Sequence, residues 1–139
     1  MSLFTSPNGP SRHLSLLALL AIGFSFSGCA KPNMGPAGTT EDAESLLTVV
    51  LDSWKSGMKP AELLTDDPAV HVADQDWQAG AVLKEYAIVG PAVKFGGTWR
   101  VPATLTLSAR DQPEMKMKAA YEVTMDPAIT ILRSDENVD

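Results

Sequence analysis

An apolar stripe at helical spacing is the first strong pattern in the chain. From Ala43 onward, apolar residues recur at every third or fourth position, and Val49 is the exception on the polar side. The stripe comprises Ala43, Leu46, Leu47, Val50, Leu51, Trp54 and Met58. This spacing predicts an amphipathic helix. Thr39 and Asp42 match a helix-start box, and Gly57 can end the helix because glycine tolerates a left-handed backbone.

Further along, the apolar period changes to two, which indicates strands. Pro60–Leu64 first adds a short helical turn, and Asp67-Pro68 stops it. The two clearest strands, each with one apolar face, are predicted at 99–107 and 115–125. Shorter strands are predicted at 70–72, 81–89 and 129–133.

Parity constrains how the two long strands pair. Residues directly opposite each other share a face, so the apolar stripes must meet partner for partner. Pairing Leu107 with Met115 then places Val101 opposite Tyr121.

We therefore predict a single α+β domain over residues 43–133. Its N-terminal amphipathic helix packs on an antiparallel β-meander of about four strands.

The N-terminus has the pattern of an export signal. A polar segment ends in Arg12-His13, and the next 15 residues, 14–28, carry no charge. A positive region followed by an apolar run is typical of a signal peptide, and a bilayer crossing needs about 20 residues. Small residues, Ser27 and Gly28, directly precede Cys29, the only cysteine in the chain.

This arrangement resembles the bacterial lipoprotein signal, in which a small residue precedes the cysteine that receives the lipid. The resemblance implies that residues 1–28 are a signal peptide and that Cys29 carries a diacylglycerol and usually an amide-linked acyl chain such as palmitate. The protein would then be exported and held in the cell envelope, with the membrane as a partner through its N-terminal lipid. Two alternatives remain open: cleavage near Ser25-Phe26-Ser27 to give a secreted form, and retention as an uncleaved anchor.

The segments that flank the predicted domain are polar. Residues 29–42 contain several prolines and glycines, and we predict a flexible linker after the lipidated cysteine. Residues 134–139 form an acidic tail that we predict to be frayed.

Composition narrows the functional classes. With 139 residues, 45% hydrophobic and 20% charged, the chain is typical of one globular domain. A formal net charge of −6 opposes binding to phosphate backbones, so we expect no nucleic-acid partner. One cysteine permits no internal disulfide, and acylation gives that odd cysteine a use.

The helix followed by a sheet also resembles the cystatin-like and nuclear-transport-factor-two-like α+β folds. The resemblance is carried by the segment VVLDSWKSG, a proline-led turn and long strands. Isomerases and dehydratases of the larger family use an Asp, His or Tyr inside a cone-shaped sheet. The comparable residues here are His71, Asp76, Tyr86 and Tyr121, and no local motif assigns any of them a role.

Candidate chemistry is sparse. His71 is the only histidine after the predicted signal, whereas zinc and iron sites usually draw on several His and Cys, so we predict no metal and no cofactor. Asp74 and Asp76 would share one face of an extended segment and could bind a cation. Together with Asp66-Asp67 they are interpreted as solvated loop ends. Trp77 is interpreted as a cap on the end of the core.

No phosphate-binding loop or catalytic triad is recognisable. Gly96-Gly97 opens no helix and is predicted to be a turn. The leading hypothesis is therefore an exported, lipid-anchored envelope protein whose small domain is not an enzyme and acts in interaction or assembly. The alternative is a small ligand-binding module or isomerase-like enzyme with a cone-shaped cavity. A packed sheet face would favour the first, and an open cavity with convergent polar groups the second.

Overall fold

The computed structural model describes residues 35–134 as an α+β domain. Its helices are α1 (Thr40–Lys55), a 3₁₀ helix (Pro60–Thr65) and α2 (Gln75–Gln78). Its strands are β1 (Val70–Ala73), β2 (Val82–Ile88), β3 (Val93–Phe95), β4 (Thr98–Ser108), β5 (Met115–Thr124) and β6 (Ile129–Ser134).

Helix α1 follows the prediction closely. The Thr39 hydroxyl accepts a hydrogen bond from the Asp42 N–H (3.1 Å), and the Asp42 carboxylate accepts one from the Thr39 N–H (2.9 Å). This reciprocal cap satisfies two N–H groups that the first turn leaves unpaired. Gly57, with φ of +95°, follows the helix in the predicted left-handed conformation. The buried residues of α1 are Ala43, Leu47, Val50, Leu51 and Trp54, all on the predicted stripe.

The predicted pairing of the two long strands is confirmed. In the β4–β5 ladder, Leu107 lies opposite Met115 and Val101 lies opposite Tyr121. One apolar face is thereby buried, although Met115, at the start of β5, is 53% exposed and lies outside the core. The predicted turn at Gly96-Gly97 joins β3 to β4 in a tight hairpin.

The rest of the sheet is more complex than the predicted meander of about four antiparallel strands. Six strands form a mixed sheet with the order β1-β6-β5-β4-β2, and β3 pairs with the first part of β4. β1 runs parallel to β6. The alternation of apolar and polar residues shows which face of a strand is buried. It does not show whether the neighbouring strand runs parallel or antiparallel, so the pairing of β1 with β6 could not be predicted. β3 was not predicted, because all three of its residues are exposed and it has no buried face.

The core lies between α1 and the sheet. Leu47 and Leu51 of α1 and Val101 and Leu105 of β4 are at most 1% exposed. The indole rings of Trp54 and Trp77 stack with centroids 5.1 Å apart and planes 6° apart. Each indole N–H donates to a backbone carbonyl, Trp54 to Ala81 and Trp77 to Met58, both at 2.8 Å. The sheet face under α1 is therefore filled by side chains.

The chain enters the domain at the N-terminal end of α1. The Ala37 carbonyl accepts a hydrogen bond from the Trp99 indole N–H (2.9 Å), and the side chain of Met125 lies against Gly38, where φ is +78°. These contacts involve the end of the segment predicted to be a linker, and α1 begins three residues before Ala43.

Several sequence predictions concern residues that the structure does not describe. The signal peptide 1–28, the lipidated Cys29, linker residues 30–34 and tail residues 135–139 all lie outside the described range. Ser134, predicted to begin the tail, is the last residue of β6. None of the helices in residues 35–134 has the length and apolar character that crossing a membrane requires.

Candidate functional site

Asp74 stands at the junction of β1 and α2. It caps α2: its Oδ1 accepts hydrogen bonds from the N–H groups of Asp76 (3.0 Å) and Trp77 (3.1 Å). Aspartate is a favoured N-cap because its carboxylate satisfies these first N–H groups. The segment is therefore helical after Asp74, and the extended arrangement that would place both carboxylates on one strand face does not occur.

The carboxylate of Asp74 is also buried, being 1% exposed. Its Oδ2 accepts a hydrogen bond from the Tyr121 hydroxyl (2.7 Å), and Nη1 of Arg133 lies 3.3 Å from Oδ1. The same Nη1 forms an ion pair with Asp76, whose side chain is 38% exposed. The interpretation of Asp74 as a solvated loop end is therefore wrong, because the pairing with Arg133 and Tyr121 permits its burial.

Electrostatics keep Tyr121 protonated. Burial, and then the negative charge and hydrogen bond of Asp74, raise the pKa of the Tyr121 phenol well above its usual value, and the nearby Arg133 opposes part of this rise. The phenol therefore remains a hydrogen-bond donor. The cluster of Asp74, Tyr121 and Arg133 joins the end of β1 to β5 and β6. We call this cluster the structural tie.

An open recess lies beside this tie, between the 3₁₀ helix, β1 and α2. Its volume is about 580 Å³. We call it the β1 groove. Its lining residues are Lys59, Pro60, Ala61, Leu64, His71, Val72, Trp77, Gln78 and Gly80. Asp74, Tyr121 and Arg133 are not among them, so the structural tie does not line the groove.

The groove borders the edge of a strand. His71 and Val72 are successive residues of β1, so their side chains point to opposite faces of the sheet. The 3₁₀ helix packs against β1, and the groove is lined by residues of both elements. Leu64, 46% exposed, gives the groove apolar surface, whereas Trp77, which also lines it, is only 5% exposed.

Charge is unevenly distributed around the groove. Lys59 and His71 are the only ionisable residues in its lining, and none of the lining residues is acidic. The chain as a whole has a net charge of −6. The elements that build the groove nevertheless carry five carboxylates, at Glu62, Asp66, Asp67, Asp74 and Asp76, so the surroundings of Lys59 and His71 are acidic.

The remaining candidates from the sequence are dispersed. His71 is exposed on β1. The Tyr86 hydroxyl donates to Asp52 of α1 (2.6 Å) and so ties β2 to the helix. Desolvation, and then the bond to Asp52, raise the pKa of Tyr86 to about 12. Within residues 35–134, no group of three or more His, Cys, Asp or Glu side chains is arranged to hold a metal ion.

Arg133 and Leu64 were not identified as residues of interest from the sequence. Arg133 continues the alternating positions of Ile129 and Ile131 on the core side of β6, and its side chain is only 5% exposed. A charged residue in an apolar series is a signal, because a buried charge requires a partner. Leu64 gave no comparable signal, since a single exposed leucine is ordinary.

Comparisons with known proteins add no assignment. No protein-family model, no curated protein and no solved structure matches this chain. The resemblance to cystatin-like and nuclear-transport-factor-two-like folds therefore rests on the sequence pattern alone.

Proposed function

We propose that this chain is an exported protein of the cell envelope, anchored in the membrane by a lipid on Cys29, whose domain binds a partner and performs no catalysis. The anchor is supported by the uncharged run before Ser27-Gly28-Cys29. The lone cysteine supports it further, because an unpaired thiol in an exported protein otherwise lacks a use.

The proposal that the domain binds a partner and does not catalyse a reaction rests on one observation. Side chains fill the sheet face covered by α1, so this face holds no cavity for a substrate within residues 35–134. Leu47, Leu51, Leu105 and Tyr121 are each at most 1% exposed there. Enzymes of the resembling folds hold their chemistry in the cone of the sheet, and here that volume is core. The Tyr121 hydroxyl and the Asp74 carboxylate, the best acid–base pair, engage each other and Arg133.

We place the partner in the β1 groove. The groove has apolar surface from the exposed Leu64 beside residues of β1. Apolar surface next to a few polar groups is typical of binding sites. The ligand-binding alternative would use an enclosed cavity, whereas this groove opens on exposed residues such as Ala61 and Gln78.

Metabolic labelling tests the anchor. Cells expressing the full chain and grown with labelled palmitate should yield a labelled, membrane-bound protein that detergent releases. Cys29→Ala should abolish the label, whereas Ser27→Ala, which keeps a small residue before the cysteine, should retain it. An unlabelled soluble product would instead indicate ordinary secretion, and an unlabelled, full-length membrane product would indicate an uncleaved anchor. Either result would refute lipidation.

A second experiment separates binding from catalysis. His71→Gln removes the only imidazole that lines the groove and keeps a polar side chain. Leu64→Asp removes the apolar surface. We expect cells with His71→Gln to behave like the wild type and cells with Leu64→Asp to behave like a deletion. The opposite pattern, with both proteins folded, would contradict a non-catalytic role.

A further inference from the structure

The tether between the predicted lipid and the domain is short. The chain is already bound to the sheet before α1 begins, because the Ala37 carbonyl accepts a hydrogen bond from the Trp99 indole N–H (2.9 Å). Of the segment predicted to be a flexible linker, residues 30–34 separate Cys29 from the described domain. At no more than about 3.6 Å per residue, the six steps from Cys29 to Gly35 span at most about 22 Å.

The tether meets the domain beside β3. A Cβ atom added at Gly35 would lie 3.7 Å from Nζ of Lys94, and Lys94 is the cross-strand partner of Trp99, to which the chain is bound. We call residues 93–100, which comprise β3, the Gly96-Gly97 turn and the start of β4, the β3 hairpin. Met115 lies opposite Leu107, eight residues beyond Trp99 along β4 and therefore about 27 Å from it. The β3 hairpin is thus at the tethered end of the sheet and Met115 at the other.

The β3 hairpin exposes two apolar side chains on one face. Val93 is 52% exposed and Phe95 is 46% exposed. Their partners on β4 are Arg100 and Thr98, which alternate with the buried Trp99, so both apolar side chains lie on the face of the sheet opposite α1. The Arg100 guanidinium stacks 3.5 Å from the centre of the Phe95 ring. The hairpin therefore carries a small apolar surface with a cation at its border.

Charge limits the kind of surface that the hairpin fits. In this chain of net charge −6, no acidic residue occurs between Glu85 and Asp111, so the β3 hairpin itself is basic through Lys94 and Arg100. The same end of the domain nevertheless carries several carboxylates, at Glu41, Asp42, Glu44, Asp66, Asp67, Glu122 and Asp126. The carboxylate of Glu44 accepts a hydrogen bond from the Ala92 N–H (2.8 Å), and Glu122 pairs with Arg100 (3.0 Å). An anionic surface would be repelled by this end of the domain, whereas an uncharged apolar one would not.

We propose that the β3 hairpin lies on the lipid bilayer that holds the anchor, with Val93 and Phe95 inserted among zwitterionic headgroups. The tether brings the hairpin within reach of that surface, because Gly35 lies beside Lys94 and at most about 22 Å from the lipidated residue. A tether also makes the contact intramolecular, so a small apolar surface is sufficient for it. The proposal rests on the lipid anchor proposed above and adds to it the orientation of the domain.

An environment-sensitive fluorophore on one introduced cysteine tests the contact. Acylation blocks the thiol of Cys29, so Val93→Cys supplies the only reactive thiol of the lipidated full chain, which is reconstituted into phosphatidylcholine vesicles. Met115→Cys is the matched control, because Val93 and Met115 are 52% and 53% exposed and lie at opposite ends of β4. The label at position 93 should emit at shorter wavelength than the label at position 115, and lipids with a nitroxide near the headgroup should quench only the former. Equal emission and equal quenching at the two positions would overturn the proposal.

A second substitution separates docking from mere proximity to the bilayer. In the chain labelled at position 93, Phe95→Asp should abolish both the wavelength shift and the quenching, whereas Met115→Asp should leave them unchanged. Both positions are exposed, so both variants should fold, which circular dichroism verifies. A signal that survives Phe95→Asp would mean that the tether alone holds the label near the lipid. A signal that appears only after anionic phosphatidylglycerol is added would mean attraction to Lys94 and Arg100, and either result would refute apolar docking.

Failure of the docking and failure of the anchor give different results. If palmitate labelling succeeds and the labels at positions 93 and 115 behave alike, the docking proposal is wrong and the anchor stands. If palmitate labelling fails, Cys29 holds no lipid, and the anchor and the docking proposal are both wrong.

Discussion

Truncation of Trp54 to alanine should destabilise the domain severely. The indole is 2% exposed, stacks on Trp77 at 5.1 Å and donates a 2.8 Å hydrogen bond to the Ala81 carbonyl. Removing a buried tryptophan typically costs about 3–5 kcal/mol, which includes the cavity left behind. Small domains have only about 5–15 kcal/mol of stability in total. At about 4–8 °C per kcal/mol, the thermal midpoint should fall by roughly 12–40 °C.

Two further variants separate the contributions of Trp54. Trp54→Phe keeps an aromatic ring against Trp77 and loses the hydrogen bond to Ala81, so it should cost clearly less than the alanine variant. Val49→Ala is the matched control on the same helix, because Val49 is 61% exposed. Its unfolding free energy should stay within about 0.5 kcal/mol of the wild type.

Thermal and urea unfolding, followed by far-ultraviolet circular dichroism, measure these differences. Near-ultraviolet dichroism provides a second readout, because the stacked pair of Trp54 and Trp77 is lost in the alanine variant. A Trp54→Ala midpoint within error of the wild type would show that Trp54 does not anchor the core. An equally large effect of Val49→Ala would show that the assigned buried face of α1 is wrong.

Three other substitutions test the cap and the buried polar contacts. Asp74→Ala should cost about 3–5 kcal/mol in urea unfolding because it removes one partner of a buried ion pair, whereas the exposed Asp66→Ala should cost less than about 0.5 kcal/mol; equal costs would argue against the structural tie. Thr39→Ala should lower the unfolding free energy by about 1 kcal/mol through loss of the helix cap, and an unchanged value would show that the cap contributes nothing. The pKa of Tyr86 is about 12 in the folded protein, above the value of about 10 expected when unfolded. The unfolded chain therefore loses this proton first, and stability should decrease as pH rises from about 10 to 12. Tyr86→Phe should reduce that decrease, and an unchanged pH dependence would contradict the raised pKa.

Local features of the sequence determined α1 and the central hairpin. The cap needs only Thr39 and Asp42, three residues apart, and the end of the helix needs only Gly57. The register of β4 against β5 followed from parity, because the side-chain period of a strand is two and both apolar faces had to meet. Interactions of this kind are decided by neighbours in the chain or by a fixed period, so the sequence alone is sufficient to find them.

The tertiary structure decided the parallel pairing of β1 with β6, the buried Asp74 and the β1 groove. Asp74 and Arg133 are 59 positions apart, and the sequence around either residue does not identify the other as its partner. The groove exists only where a 3₁₀ helix, a strand edge and α2 converge. Hydrophobic alternation specifies how much of a segment is buried, while the identity and direction of its neighbour depend on packing across the whole domain. Which elements come to lie beside each other is for this reason a property of the folded chain.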